Sequence, residues 1–132
     1  MNSRRMLSSF LRGIKFFTKT HEWYDLVGKT AIVGLTNYSS HMMGDITFID
    51  VKPGREFKKG EEFIGIESIK LTTPIVALSS GRVISVNPKI EADPSIVNHS
   101  PLTEGWIAKI EVDDPSEIEK QMSQQEYLKQ FE

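Results

Sequence analysis

The segment Glu67-Ser68-Ile69-Lys70-Leu71 holds a lysine whose surroundings point to chemistry. Runs rich in β-forming residues approach it from both sides, Glu62 to Ile69 and Thr73 to Leu78, so Lys70 falls where a hairpin must turn. A primary amine held at the tip of a rigid sheet stands out in solvent and is open to acylation, whereas a lone lysine in an ordinary turn is only a solvated cation. The other reactive side chains offer less. His21, His41 and His99 are far apart and none has a second ligand-type residue at a metal-like spacing. The sequence contains no Gly-rich phosphate loop, no Gly-x-Ser-x-Gly elbow and no His-Glu-x-x-His run. Cysteine is absent, which excludes disulfides, thiolate metal sites and a cysteine nucleophile, so any sulfur chemistry must arrive on an attached group. Asn37-Tyr38-Ser39 and Asn98-His99-Ser100 match the glycosylation pattern and are read as chance matches.

The elements that must position Lys70 are mostly strands. Lys29 to Thr36, Ile46 to Val51, Glu62 to Ile69, Thr73 to Leu78, Arg82 to Val86 and Gly105 to Val112 are short runs of β-branched and aromatic residues. Pro53-Gly54, Lys59-Gly60, Ser80-Gly81, Asn87-Pro88 and Asp93-Pro94 punctuate them as turns. No helix long enough for the crossover of a parallel sheet intervenes between the strands, so the spacing predicts a sandwich or barrel. Helices are expected at the edges. Thr36 can cap a short helix from Asn37 to Met43 that Gly44 ends, and Asp114-Pro115 with Glu117 starts another. Ser123 with Glu126 forms a capping box, and Tyr127, Leu128 and Phe131 give the last helix an apolar stripe, read as packing on the sheet rather than as a partner's groove.

The whole chain is 132 residues, enough for one domain with a real core. A net charge of −2 leaves no basic field for nucleic acid, and no apolar run is long enough to span a bilayer. The basic residues Arg4, Arg5, Arg12, Lys15 and Lys19 precede the first acid, Glu22, and Leu7, Phe10, Leu11 and Ile14 recur at helical spacing among them. This acid-free amphipathic stretch reads as an organellar targeting presequence over residues 1–16, ahead of a domain at 17–132. The alternative is an ordinary N-terminal helix packed on that domain.

Glu67-Ser68-Ile69-Lys70 in a hairpin resembles the attachment site of lipoyl domains; a biotin site would read Met-Lys-Met where this chain has Ile-Lys-Leu. The likeness extends from Phe17 to Phe131 and is to the H-protein family of the glycine cleavage system. It rests on Thr18-Lys19-Thr20-His21-Glu22-Trp23, Val33-Gly34-Leu35-Thr36-Asn37-Tyr38, Met43-Gly44-Asp45-Ile46 and Lys58-Lys59-Gly60-Glu61. Ser80-Gly81-Arg82-Val83-Ile84-Ser85-Val86-Asn87, Asp93-Pro94-Ser95-Ile96-Val97-Asn98 and Gly105-Trp106-Ile107-Ala108-Lys109-Ile110 complete the series in the same order.

The resemblance implies a mainly β, lipoyl-domain-like flattened barrel or sandwich with short edge helices and a C-terminal helix. It implies a non-catalytic carrier, monomeric, with lipoate amide-linked to Lys70. Its partners would be the pyridoxal-phosphate glycine decarboxylase, the aminomethyltransferase that passes the one-carbon unit to tetrahydrofolate, dihydrolipoyl dehydrogenase and the lipoate-attaching enzyme. Its compartment would be the mitochondrial matrix or a related organelle such as a hydrogenosome. By the same resemblance Glu67, Gly54 and Gly81 guide attachment; the two glycines also have a plain turn reading, Gly81 through a positive φ. Thr20 and Glu22 match positions that hold the amine of the loaded arm. One departure stands out: Pro74 replaces the aspartate expected four residues after the lysine, and Leu78 replaces a common proline. The missing carboxylate keeps open a second reading, an H-like lipoyl protein that relays lipoate or serves a reduced set of partners. A biotin carrier or a plain binding module of the same fold is the more distant class.

Overall fold

Alternation of apolar and polar residues turns one face of most strands toward a shared interior, and among the described residues nine strands form two antiparallel sheets. The computed structural model describes residues 13–132. One sheet has the order β1 (Ile14–Phe17), β2 (Glu22–Val27), β3 (Thr30–Leu35), β9 (Ala108–Val112), β8 (Gly81–Val86), β5 (Glu56–Phe57). The other is β4 (Ile46–Asp50), β6 (Glu62–Ser68), β7 (Thr72–Val76). Both sheets stay open, so the barrel-or-sandwich expectation resolves as a sandwich. Val33, Leu35, Ile64, Ile66, Ile75, Val83, Ile107 and Ile110 meet between the layers with almost no exposed surface. A smaller cluster on the outside of the large sheet joins Phe17, Trp23 and Tyr127.

The short helices lie at the edges. They are α1 (Asn37–Met43), α2 (Pro88–Ala92), α3 (Ile96–His99), α4 (Ser116–Glu119) and α5 (Gln124–Lys129). The expected caps form: Thr36 Oγ1 accepts from Ser39 N at 3.2 Å, Gly44 ends α1 at φ 75°, and Ser123 and Glu126 make a reciprocal capping box. Asn87 caps α2, with Pro88 in its first turn, where the sequence reads only as punctuation.

Three strands escape the sequence pattern: β5, only two residues long, β2 and β1. In β2 Glu22, Trp23 and Tyr24 are all buried, because Tyr24 enters the sandwich while Trp23 is covered from outside. A strand buried on both faces shows no alternation. β1 pairs Ile14–Phe17 with Leu26–Trp23, so Ile14, Lys15 and Phe16, assigned above to the presequence, sit in the sheet. Leu7, Phe10 and Leu11 lie outside the described residues. The apolar stripe of α5 also divides: Tyr127 is buried, but Leu128 and Phe131 are about half exposed and line a cleft with Phe17, Tyr38 and Leu102. Core packing describes only the first of the three.

Candidate functional site

The turn after β6 is built by one side chain. Ser68 Oγ accepts from the backbone N–H groups of Lys70 and Leu71, each at 3.2 Å, and donates to the Leu71 carbonyl at 3.2 Å. Ser68 N to Leu71 O at 2.9 Å closes the turn, and Ile69 N donates to Asp45 O at 3.0 Å, fastening the tip to the segment after α1. The backbone of the tip is thereby satisfied and held from two directions, as a rigid presenter of a side chain must be. Lys70 is exposed and makes no ion pair or side-chain hydrogen bond among the described residues. Its stem passes over Gly44, where a Cβ would stand 3.4 Å from the lysine Cε. Gly44 therefore serves both the left-handed end of α1 and the room the stem needs.

Asn98 locks the ground beneath. Its Oδ1 accepts from Ile46 N at 2.9 Å, and its Nδ2 donates to Gly44 O at 2.8 Å and Ser40 O at 3.2 Å. The amide that matched a glycosylation site is spent on joining α1 to β4. Glu67 is exposed on β6, opposite Phe48 and Thr72, one turn of hairpin from Lys70.

Thr20 and Glu22 form a second feature. Glu22 is 5% exposed, and its Oε1 accepts from Thr18 Oγ1 at 2.9 Å and Thr20 Oγ1 at 2.8 Å. Burial raises the Glu22 pKa, opposed by those hydroxyl hydrogen bonds. Oε2 has no hydrogen bond among the described residues and is not sealed from solvent, so it can accept one more donor. A protonated amine suits it: the charge would offset the buried carboxylate and its N–H would supply the missing bond. Deeper in the sandwich, Tyr24 Oη is buried with no partner among the described residues.

Helix α1 spans the two features. Its cap, Thr36, follows Leu35, the register partner of Glu22, and Thr36 N donates to His21 O at 3.1 Å. Its other end is the Gly44 seat of Lys70. Its seven residues make it roughly 10 Å long.

Gly54 and Gly81 lie elsewhere. Gly54 N donates to Val83 O at 2.8 Å and Gly81 pairs with Phe57, which puts both beside the Glu62 end of β6. The lysine is at the opposite end, on the order of 20 Å away along the strand. Gly54 has φ 83°, as its turn requires. Gly81 does not have the expected positive φ; it is needed because a Cβ there would stand 2.0 Å from the Glu111 carbonyl oxygen of the neighbouring strand. Pro74 stands on edge strand β7 opposite Gly65, where its missing N–H costs the sheet least.

A model of the family described as glycine cleavage H-protein matches residues 15–132. The chain belongs to the glycine cleavage H-protein family. A glycine cleavage system H protein from Thermotoga maritima is 40% identical over 115 residues, covering 86% of this chain and 93% of that one. A mitochondrial H protein from Mesembryanthemum crystallinum is 34% identical over 125 residues, 95% of this chain and 76% of that one. The crystal structure of an H protein from Mycobacterium marinum superposes with a TM-score of 0.78 at 25% identity, over 90% of this chain and 97% of that one. H-protein membership makes the chain a lipoyl carrier component of glycine cleavage and not itself an enzyme. Relatives occur both in bacteria and in plant mitochondria, so membership carries no compartment. The residues present fit a covalent lipoyl group: an exposed, unpaired amine on a rigid tip, with a glycine under its stem.

Proposed function

We propose that Lys70 is the lipoylated residue and that this domain carries the aminomethyl group of glycine from the decarboxylase to the aminomethyltransferase, with dihydrolipoyl dehydrogenase restoring the oxidised arm. The single observation that supports the site is the exposed Lys70 amine on the turn knitted by Ser68. When bound, lipoate supplies the sulfur and the redox couple that this cysteine-free chain lacks. The protein's own part is presentation and holding: the hairpin keeps the tether rigid, and Thr20 and Glu22 offer a carboxylate to a protonated amine. Glu67, the residue just before the turn, is the carboxylate that the attaching enzyme reads. Gly54 and Gly81 influence attachment through the fold.

Lys70→Arg tests this. Incubated with a lipoate-attaching enzyme, the wild-type chain gains the mass of one lipoyl group and the folded Arg variant gains none; modification of the variant would refute the site. Pro74 favours one second reading, a lipoate relay, since it removes a carboxylate near the modified turn. Stimulation of glycine decarboxylation by the lipoylated chain supports the first reading, and none at all supports the relay. The acid-free stretch ahead of β1 supports organellar import, mitochondrial or hydrogenosomal.

A further inference from the structure

The corner that holds Glu22 is fastened by a helix from the far end of the chain. His21, between Thr20 and Glu22, has φ 72°, a left-handed conformation that costs a non-glycine residue free energy and persists only where surroundings enforce it. Its Nδ1 lies 2.6 Å from Tyr127 Oη on α5, and Tyr127 Oη donates to Thr36 Oγ1 at 2.9 Å. With the tyrosine proton spent on Thr36, the tyrosine oxygen must accept from His21, so the imidazole carries its proton on Nδ1. Thr36 Oγ1 accepts from Ser39 N as well, and Thr36 N returns to the His21 carbonyl. One closed circuit thus joins the loop of Thr20, the start of α1 and the C-terminal helix. Rings tighten it: His21 lies tilted by 39° against Tyr38 at 4.4 Å, and Tyr127 stacks on Phe17 at 5.1 Å.

We propose that Tyr127, acting through His21 and Thr36, is a positioning residue for the amine-holding corner, so that the C-terminal helix sets how firmly Thr20 and Glu22 retain the cargo. This inference rests on the reading of Thr20 and Glu22 given above. Tyr127 touches neither carboxylate nor arm. It fixes the strained residue between the two holding groups, and without its hydroxyl His21 is free to leave the left-handed region and take Thr20 Oγ1 off the carboxylate.

Tyr127→Phe keeps the ring on Phe17 and removes only the hydroxyl. In the unmodified chain, nitrogen NMR of His21 should show the Nδ1–H tautomer in the wild type and a shift toward Nε2–H in the variant. Carbon NMR should show the Glu22 carboxyl titration displaced in the variant, because the clasp governs both the water that reaches the carboxylate and its Thr20 hydrogen bond. In the lipoylated chain charged from ¹³C-glycine with the decarboxylase, loss of label without the aminomethyltransferase should run 3-fold to 10-fold faster. His21→Asn, which tolerates the same φ but cannot reach Tyr127, should behave likewise and serves if Tyr127→Phe folds poorly. Glu22→Gln separates the failures. If it speeds loss of label while Tyr127→Phe and His21→Asn do not, the positioning role is overturned and the corner stands. If Glu22→Gln itself has no effect, the corner reading falls and this inference falls with it. Unchanged His21 and Glu22 signals in Tyr127→Phe, with an unchanged Glu22 signal in His21→Asn, would also overturn it.

Discussion

A buried carboxylate that accepts only hydroxyl hydrogen bonds makes a protein sensitive to pH in a particular direction. Burial raises the Glu22 pKa above its reference of 4.5, so between the unfolded and folded values the folded state binds more protons. Stability therefore falls as pH rises through that window and levels off above the folded value. Glu22→Gln removes this dependence, so the stability of the variant relative to wild type should climb from about pH 4.5 upward and then plateau. Calorimetry from pH 4 to 8 checks it; a difference that stays flat would place Glu22 in water. Two residues on, the unpartnered Tyr24 hydroxyl is a second cost without a compensating bond. Tyr24→Phe should raise unfolding free energy by about 1 kcal/mol, read from the urea midpoint, and a loss instead would reveal a bound group at that oxygen. The sequence made Lys70, Glu67, Thr20 and Glu22 visible, because their types stand in a recognisable order. It could not show Tyr24, whose lack of a partner among the described residues depends on what the folded interior places around it, nor Asn98, whose only local signal was a motif with a different meaning.

At the scale of elements, the two ends of β6 have different jobs, and Gly81 is the test. Its hydrogen faces the backbone of β9, so Gly81→Ala must push two central strands apart and should cost about 1–3 kcal/mol. At a temperature where the variant remains folded, Lys70 should accept lipoate at the wild-type rate. A folded Gly81→Ala chain that is poorly modified would make this glycine a contact of the attaching enzyme. Asn98→Ala works at the other end. It strips three hydrogen bonds from the junction under the tip and should cost about 2–3 kcal/mol by thermal or urea unfolding. Most strands and the caps of α1 and α5 were legible because turn pairs and capping residues act locally, whereas α4 starts from Pro115 without a side-chain cap bond. β2 was not, since partners on both faces erase the alternation, and β5 is only two residues long.

Across the whole molecule, the first described strand ties the start of the chain to its end. Phe17 and Met122 exchange backbone hydrogen bonds at 2.8 and 2.9 Å, and Lys15 pairs with Asp25 at 3.3 Å. A chain beginning at residue 17 should melt about 4 °C or more below one beginning at residue 13, since it loses most of β1. Equal melting temperatures would mean that β1 adds nothing to the sheet. The sandwich as a class was readable from strand spacing, but this long-range closure was not, because it joins segments more than 100 residues apart. Helix α1 carries a further consequence. It acts as a gauge block between tether and carboxylate, and gauge blocks do not stretch. One residue inserted within Asn37–Met43 would swing the Gly44 seat by about 100° and move it about 1.5 Å, turning the lysine away from the corner it serves. An insertion at the exposed Lys58–Gly60 turn would leave both ends of the gauge where they are.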